Sequence, residues 1–436
     1  MTNLKTRRKQ RRTAQALAVL AVLVASFALP ARAAAADLPQ APAAEDDPLP
    51  EIQTIAPFAV VMDYETGAVQ FSKNGDELMK PASMAKLMTV SLLFEKLKRG
   101  ELHLDDKFRV SEKIWSRFAH DPETSKMFVG AGEAIRIEDL IRGIIIDSGN
   151  DACAVVAENI AGNEEAFARL LNTEARRIGL SRSTFANSNG MPDPAQNVTP
   201  RELALIARHL IKDYPEYYHY FDEKEFTWNK ITQPNRDLLL GSYPGADGLK
   251  TGHTEESGFG MTASAKQGAR RVIVVVNGLA SLEDRASEAK RLLDIGFREF
   301  KTYALLKPGD VVGEAEVWAG ERRTVQLTVR EPVKLVLLRR AARDRLRVTL
   351  EFETPAIPPI ARGQELGRLI VTAPGAPALR VPVCAKSPVR RASLLVQLKA
   401  GLKLLMAGGD DAQTLTLPVQ PRLQTSDGGP TQPGGR

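Results

Sequence analysis

Cysteine and histidine are scarce in this sequence, and their scarcity excludes several classes of protein. Two cysteines, Cys153 and Cys384, in 436 residues cannot build a disulfide framework. They fall in segments assigned below to different domains, so free thiols are expected. Cys153 opens onto an apolar helical stretch and reads as a small buried hydrophobe. The five histidines do not group with acids in a metal-ligand pattern, and no cluster has the spacing of a structural zinc site. No metal or other cofactor is expected.

Long apolar runs are equally few. The run at residues 14–29 covers 16 positions, short for a bilayer span. It follows a basic start (Lys5, Arg7, Arg8, Lys9, Arg11, Arg12) and precedes Pro30 and an alanine-rich stretch. That order is a secretory leader, residues 1–33, with Ala31 and Ala33 as a cleavage signal. A surplus of either charge is missing once the leader is set aside. The leader holds seven Lys or Arg and no acid, leaving 52 basic against 53 acidic residues. The formal net charge of +6 is therefore a property of the leader, and nucleic acid is excluded as a partner.

What is present is enough chain, about 400 residues, for at least two domains. Residues 34–55 are rich in Ala, Pro, Asp and Glu and are expected to be a flexible lead-in. Strand character at 58–62 and 68–71 flanks a turn at 63–67. A deeply apolar helix follows from Lys86 to Phe94, and helices recur across 95–230, at 137–145, 152–161 and 167–178. Thr199, Pro200 and Glu202 open another with a cap, a first-turn proline and an early acid. Strands return at 258–265 and 271–277, joined by a tight turn, before a helix at 287–298. The expected first domain, 56–300, is an α/β (α+β) unit: an antiparallel sheet flanked by helices, with a helical lobe beside it. Short strands at 325–329, 333–338, 346–352, 366–371 and 378–383, punctuated by Pro and Gly, predict a small all-β sandwich over 301–386. In the segment 388–408, Leu394, Leu395, Leu398, Leu402 and Leu405 fall on one helical face, with Arg391, Lys399 and Lys403 off it. This amphipathic helix suits either packing on the β domain or, the reading preferred here, lying on an anionic membrane surface. The composition of residues 409–436 predicts a disordered tail.

Three short motifs carry chemistry. In Ser83-Met84-Ala85-Lys86, a serine opening a helix has the lysine one turn on along the same face. A serine hydroxyl needs a base beside it, and a lysine can serve only when neutral, a state favoured by burial and nearby positive charge. In Ser148-Gly149-Asn150, the serine can relay a proton and the asparagine can orient Lys86 or donate to a substrate carbonyl; the same residues also read as a turn and helix cap. In Lys250-Thr251-Gly252, a lysine on a strand at a cleft rim supplies positive potential, Thr251 binds a carboxylate, and Gly252 permits close backbone approach. The same triplet also reads as a glycine-rich surface loop.

Taken together and in this order, S-x-x-K, S-x-N and K-T-G are similar to the signature of serine penicillin-interacting enzymes. The chain resembles the low-molecular-mass penicillin-binding proteins that act as D-alanyl-D-alanine carboxypeptidases, from about residue 57 to 384. The likeness is strongest at 81–89 and 247–258. It implies Ser83 as acylated nucleophile, Lys86 as its base, Ser148 and Asn150 as the second motif, and Lys250, Thr251 and Gly252 as the third. His253 matches the histidine that follows the triplet, and Arg236 of Asn235-Arg236 an arginine of the carboxylate subsite. The backbone N–H groups of Ser83 and His253 would form the oxyanion hole. Two departures stand out: Asn189, in Asn187-Ser188-Asn189-Gly190-Met191, replaces a histidine of N-P-H-G-L, and Asp237 stands where asparagine is frequent.

The resemblance implies removal of the terminal D-alanine from peptidoglycan stem pentapeptides, covalent inhibition by β-lactam antibiotics, and a periplasmic location at the outer face of the inner membrane. An endopeptidase cutting cross-links uses nearly the same chemistry and remains open. A β-lactamase is disfavoured because no E-x-x-L-N pentapeptide occurs between Ser148 and Lys250. A non-catalytic wall-binding module is disfavoured by the intact Ser83, Lys86 and Lys250.

Overall fold

The computed structural model describes residues 52–338, 346–373, 376–398, 413–418 and 424–425. The leader, most of the lead-in and the latter half of the expected C-terminal helix lie outside the described residues.

Strands β1 (Phe58–Asp63) and β2 (Val69–Lys73) pair antiparallel around the predicted turn. A single 3₁₀ turn, Ala82–Ala85, then runs into α1 (Lys86–Lys98). The lobe that follows holds β3 (Lys107–Arg109), α2 (Glu112–Ala119), β4 (Ala134–Arg136), α3 (Ile137–Ile145), α4 (Asn150–Ala161), α5 (Glu164–Arg177), α6 (Pro200–Asp213), β5 (Glu225–Trp228) and β6 (Ile231–Pro234). Strands β3 with β4, and β5 with β6, form two small ribbons. At three or four residues each they are too short to leave a period in the sequence, so the lobe is less purely helical than its composition implies. Strands β7 (Ala246–Thr254), β8 (Gly258–Gln267) and β9 (Arg270–Leu279) complete the sheet, and α7 (Leu282–Arg298) closes the domain. That helix begins five residues before the expected start at 287, because Ser281 caps it by accepting from the Asp284 N–H.

The five-stranded sheet runs β2-β1-β9-β8-β7, antiparallel throughout, with β7 at an edge. Alternation along β1 decides the layers. Val60 and Met62 join the core shared with the helical lobe, whereas Ala59 and Val61 pack with Leu292, Leu293 and Phe297 of α7. Helix α1 lies deep in the first of these cores, with every residue from Lys86 to Phe94 buried. A helix apolar all round must be enclosed on every side, and this one is.

The second domain contains β10 (Phe300–Leu306), β11 (Val311–Glu316), β12 (Thr324–Thr328), β13 (Val333–Leu338), β14 (Arg347–Thr354), β15 (Glu365–Ala373), β16 (Ala376–Ala385), β17 (Gln413–Pro418) and β18 (Gln424–Thr425). They form a six-stranded and a three-stranded sheet around one core that includes Tyr303, Leu335, Leu350 and Leu369. It docks on the first domain through Lys334 with Glu65, 2.8 Å apart, and Thr302 donating to Asp63 at 3.3 Å.

Three sequence expectations are corrected. The expected tail at 409–436 contributes β17, paired along β14, and β18, paired with β10. Overall Pro and Gly content hid a Thr-Leu-Thr-Leu alternation suited to an exposed sheet edge. The helix placed at 388–408 does not begin there: Val389 bridges Ile360, Arg391 bridges Gly320, and helix is described only from 394 to 398. The end of the lead-in is docked rather than loose, with Ile52 on the α7 core and Thr54 donating to Glu288. Cys153 and Cys384 are both buried and free, as expected. Among the described residues no helix is long and apolar enough to cross a membrane.

Candidate active site

The 3₁₀ turn before α1 puts Ser83 on the rim and Lys86 beneath it. Ser83 is partly open while Met84 to Phe94 are buried. Ala82 holds a left-handed φ of 46°, which turns the chain sharply ahead of the serine. The Lys86 amine stands 2.7 Å from Ser83 Oγ, 2.7 Å from Asn150 Oδ1 and 2.8 Å from the Asn189 carbonyl oxygen. It has no exposed surface, and burial, helped by the positive charge of Arg236, brings it from its ordinary 10.5 to about 8. Asp151 and the Cys153 thiol act in the opposite sense.

The three contacts constrain the proton inventory. A neutral amine has two N–H groups and one lone pair. Carbonyl oxygens can only accept, so Asn150 and Asn189 take the two N–H groups and the lone pair is left facing Ser83. Asn150 is itself fixed, donating through Nδ2 to Thr124 Oγ1 at 2.6 Å, while its backbone N–H donates to the Ser125 carbonyl at 2.8 Å.

The loop carrying Thr124 and Ser125 is held from α4. The Asp151 carboxylate accepts from the backbone N–H groups of Met127, Phe128 and Val129 at 2.8, 2.9 and 3.2 Å. On the opposite wall, Asn187 Oδ1 accepts from the Gly190 N–H at 2.7 Å, shaping the turn that presents the Asn189 carbonyl. Gly190 has φ of 79°, and a Cβ there would collide with the Ala82 carbonyl. The contact with Lys86 therefore comes from the backbone at 189, so the replacement of histidine by asparagine leaves it in place. The asparagine's own Oδ1 accepts from the Met191 N–H at 3.0 Å.

Strand β7 forms the facing wall. A Cβ on Gly252 would meet the Pro81 carbonyl oxygen at 2.9 Å and the backbone nitrogens of Ser83 and Met84 at 3.1 Å, so strand and 3₁₀ turn are in backbone contact. Lys250 and Thr251 are buried, 3% and 5% exposed, on that edge strand. The Lys250 amine donates to the Thr251 carbonyl at 3.2 Å. Burial above all, then Lys86 and Arg236, holds its pKa well below the usual lysine range. Lys250, expected to supply positive potential, therefore holds its proton less tightly than an exposed lysine does. His253 is exposed and stacks on Phe259, centroids 3.9 Å apart.

Arg236 reaches the same cleft from the loop before β7 and donates to Ser125 Oγ at 2.6 Å. Asn235 anchors that loop, donating to the Glu223 carbonyl at 2.9 Å. Asp237 turns away, accepting from the Leu239 N–H at 2.8 Å, and burial raises its carboxyl to about 6. Ser148 is buried with φ of 56°, but among the described residues its hydroxyl has no hydrogen bond, to Lys86 or to any other group. Its expected relay is not formed in this state.

The structure therefore brings Ser83, Lys86, Asn150, Lys250, Thr251, Gly252 and Arg236 to one cleft, with Ser148 beside Asn150 and His253 at the outer end of the strand. Sequence reasoning missed Thr124, Ser125, Asp147, Asp151 and the Asn189 carbonyl as parts of it. Asp147 and Asp151, which flank Ser148-Gly149-Asn150, carried a local signal; backbone carbonyls and loop hydroxyls carry none.

Such a site, a serine paired with a buried lysine beside an edge strand, defines a serine acyl-transferase. Residues 43–280 match the family model for D-alanyl-D-alanine carboxypeptidase, and residues 300–391 that for the penicillin-binding protein 5 C-terminal domain. A D-alanyl-D-alanine carboxypeptidase of Bacillus subtilis is 32% identical over 358 residues, covering 80% of this chain and 90% of its own. One from Haemophilus influenzae is 33% identical over 359 residues, covering 82% and 91%. The crystal structure of penicillin binding protein 5 from Haemophilus influenzae superposes with a TM-score of 0.73 at 33% identity, covering 79% of this chain and all of that one. The chain belongs to the serine-type D-alanyl-D-alanine carboxypeptidase family of penicillin-binding proteins.

Proposed function

We propose that the enzyme removes the terminal D-alanine from peptidoglycan stem peptides through an ester on Ser83. The carrying observation is the Lys86 amine, buried and flanked by two carbonyl acceptors, with its free lone pair at Ser83 Oγ. Ser83 Oγ attacks the carbonyl between the last two D-alanines while its proton passes to Lys86 Nζ. The developing oxyanion is met by the backbone N–H groups of Ser83 and His253. The C–N bond breaks, a proton from Lys86 goes to the leaving nitrogen, and D-alanine departs. Water then attacks the acyl carbonyl, its proton taken by Lys86; the acyl C–O bond to Ser83 breaks, and Lys86 returns the proton to Ser83 Oγ.

Asn150 keeps the amine in line, and Ser148 rotates into the proton path once substrate fills the cleft. The departing residue's carboxylate is held by Thr251, with Arg236 and Lys250 supplying positive potential. A carboxylate there strengthens the hold of Lys250 on its proton, because an adjacent anion favours the ammonium. The free edge of β7 is open to the extended stem peptide, and Gly252 lets the two backbones approach. β-Lactams, which join a strained amide to a carboxylate, acylate the same oxygen.

Export through the N-terminal leader places the enzyme in the periplasm. The helix beginning at Leu394 rests on the outer face of the inner membrane, a reading supported by Leu394, Leu395 and Leu398, which are 76%, 72% and 69% exposed. The deciding experiment incubates the leaderless protein with a stem pentapeptide ending in D-Ala-D-Ala and follows free D-alanine by mass spectrometry. One D-alanine released per peptide, and none from Ser83→Ala, is the expected result. Cleavage of cross-linked dimers alone would identify an endopeptidase instead.

A further inference from the structure

Asp147 occupies an unusual position beside this cleft. It lies in the short link between α3 and α4, directly before Ser148 with its left-handed φ of 56°. The residue is 1% exposed, and among the described residues neither carboxylate oxygen has a hydrogen-bond partner. Buried carboxylates are ordinarily paired or hydrogen-bonded, since an isolated ionised one is costly to desolvate. Its neighbour Asp151 obeys that rule with its backbone N–H partners. The charged groups facing Asp147 are Arg236 from the loop before β7, Lys250 on β7 and Asp151 on α4. Two of these three are the cations of the carboxylate subsite, and the hydrogen bond from Arg236 goes to Ser125 rather than to Asp147.

We propose that Asp147 is a positioning residue that competes with the substrate's terminal carboxylate for the field of Arg236 and Lys250, releasing that field when it is protonated. The proposal deepens the function given above and rests on it. With Asp147 neutral, Arg236 and Lys250 act on the incoming carboxylate alone. With Asp147 ionised, part of their potential is already spent on an anion that cannot leave. Burial first, with the Asp151 charge adding to it against the opposing pull of Arg236 and Lys250, raises the carboxyl from 3.8 to about 7. The exchange thus falls in the working pH range. The pre-covalent complex reports on Asp147 and the carboxylate subsite, whereas the acylation rate constant reports on the Lys86 amine.

The test measures acylation of the leaderless protein by a fluorescent penicillin between pH 5.5 and 9. The dissociation constant of the pre-covalent complex is separated from the acylation rate constant. In the parent protein that dissociation constant is expected to rise roughly three- to tenfold from pH 6 to 8. Asp147→Asn, nearly isosteric and breaking no hydrogen bond, should remove the part of that rise due to Asp147 and leave the smaller dependence imposed by Lys250, and Asp147→Glu should restore the full rise. The rate constant should keep the same rising limb in all three proteins. Identical pH dependence of binding in the parent and Asp147→Asn, with labelling at Ser83 intact, overturns the role of Asp147 alone. Failure of the penicillin to label Ser83 in the parent protein overturns the acyl-enzyme reading, and this proposal with it.

Discussion

Lys86 Nζ and Asn150 Oδ1 lie 2.7 Å apart across 64 positions of sequence, joining the buried helix α1 to the first turn of α4. The pairing fixes where the lysine's lone pair points, so it bears on rate more than on binding. Asn150→Ala should lower the acylation rate constant by about 10²-fold while leaving pre-covalent binding within a few fold. An equal loss in both quantities, measured by stopped-flow with a fluorescent penicillin, would assign Asn150 to binding instead.

The titration of Lys86 gives a pH profile with a defined sign. The reactive form is the neutral amine, so the acylation rate constant should climb as pH rises through about 8 and level off above it. Stability should follow the same group. The unfolded chain holds the lysine proton up to about 10.5, the folded one only to about 8, so the burial penalty is complete below pH 8 and is relieved as pH rises toward 10.5. Relative to Lys86→Met, the parent should gain thermal stability across that interval. Melting curves at pH 7, 9 and 10.5 for both proteins measure it.

Glycine at 190 is a steric requirement. Gly190→Ala adds a Cβ into the Ala82 carbonyl at a positive φ, beside the reactive serine. Acylation should fall by at least tenfold and stability by about 1–3 kcal/mol. Gly132→Ala, also at positive φ but with open space around its Cβ, should show only a modest stability loss and normal labelling. Denaturant titration and penicillin labelling of the two variants separate a local clash from backbone strain alone.

Binding a carboxylate should carry a proton into the protein, since an anion beside Lys250 strengthens a proton affinity that burial has lowered. Titration calorimetry of Ser83→Ala with a D-Ala-D-Ala peptide near neutral pH should show a heat that varies with the buffer's ionisation enthalpy, in the sense of proton uptake. Lys250→Met should weaken the complex and reduce that dependence, leaving the part that comes from Asp147. A buffer-independent heat in the presence of Lys250 would contradict it.

Where the chain is cut should decide what is lost. Ending it after Ser393 keeps the Val389–Ile360 and Arg391–Gly320 bridges but removes the exposed leucines together with β17 and β18. Replacing Leu394, Leu395 and Leu398 with glutamate instead leaves every described strand intact. That triple variant should retain its melting temperature and activity while losing sedimentation with phosphatidylglycerol vesicles. The truncated form should in addition melt at a lower temperature.

Much of this protein was legible in its sequence because the signals were local. Ser83 and Lys86 share a helical face by spacing alone, and the apolar stretch from Leu87 to Phe94 had to be buried. Thr199, Pro200 and Glu202 marked a helix start that the structure reproduces, with the Thr199 side chain accepting from the Glu202 N–H. Composition misled where a minority pattern sat inside a Pro- and Gly-rich segment, as at β17. Periodicity failed where strands were too short to have one, as in β3 to β6.

Tertiary structure decided the rest. Which carbonyls cap the Lys86 amine depends on residues 64 and 103 positions away meeting at one atom, and a backbone oxygen leaves no trace in residue identity. The burial of Asp147 without a hydrogen-bond partner and the lowered proton affinity of Lys250 likewise arise only once the chain has closed around them. Sequence named the reacting groups; packing set their proton affinities and aimed them at one another.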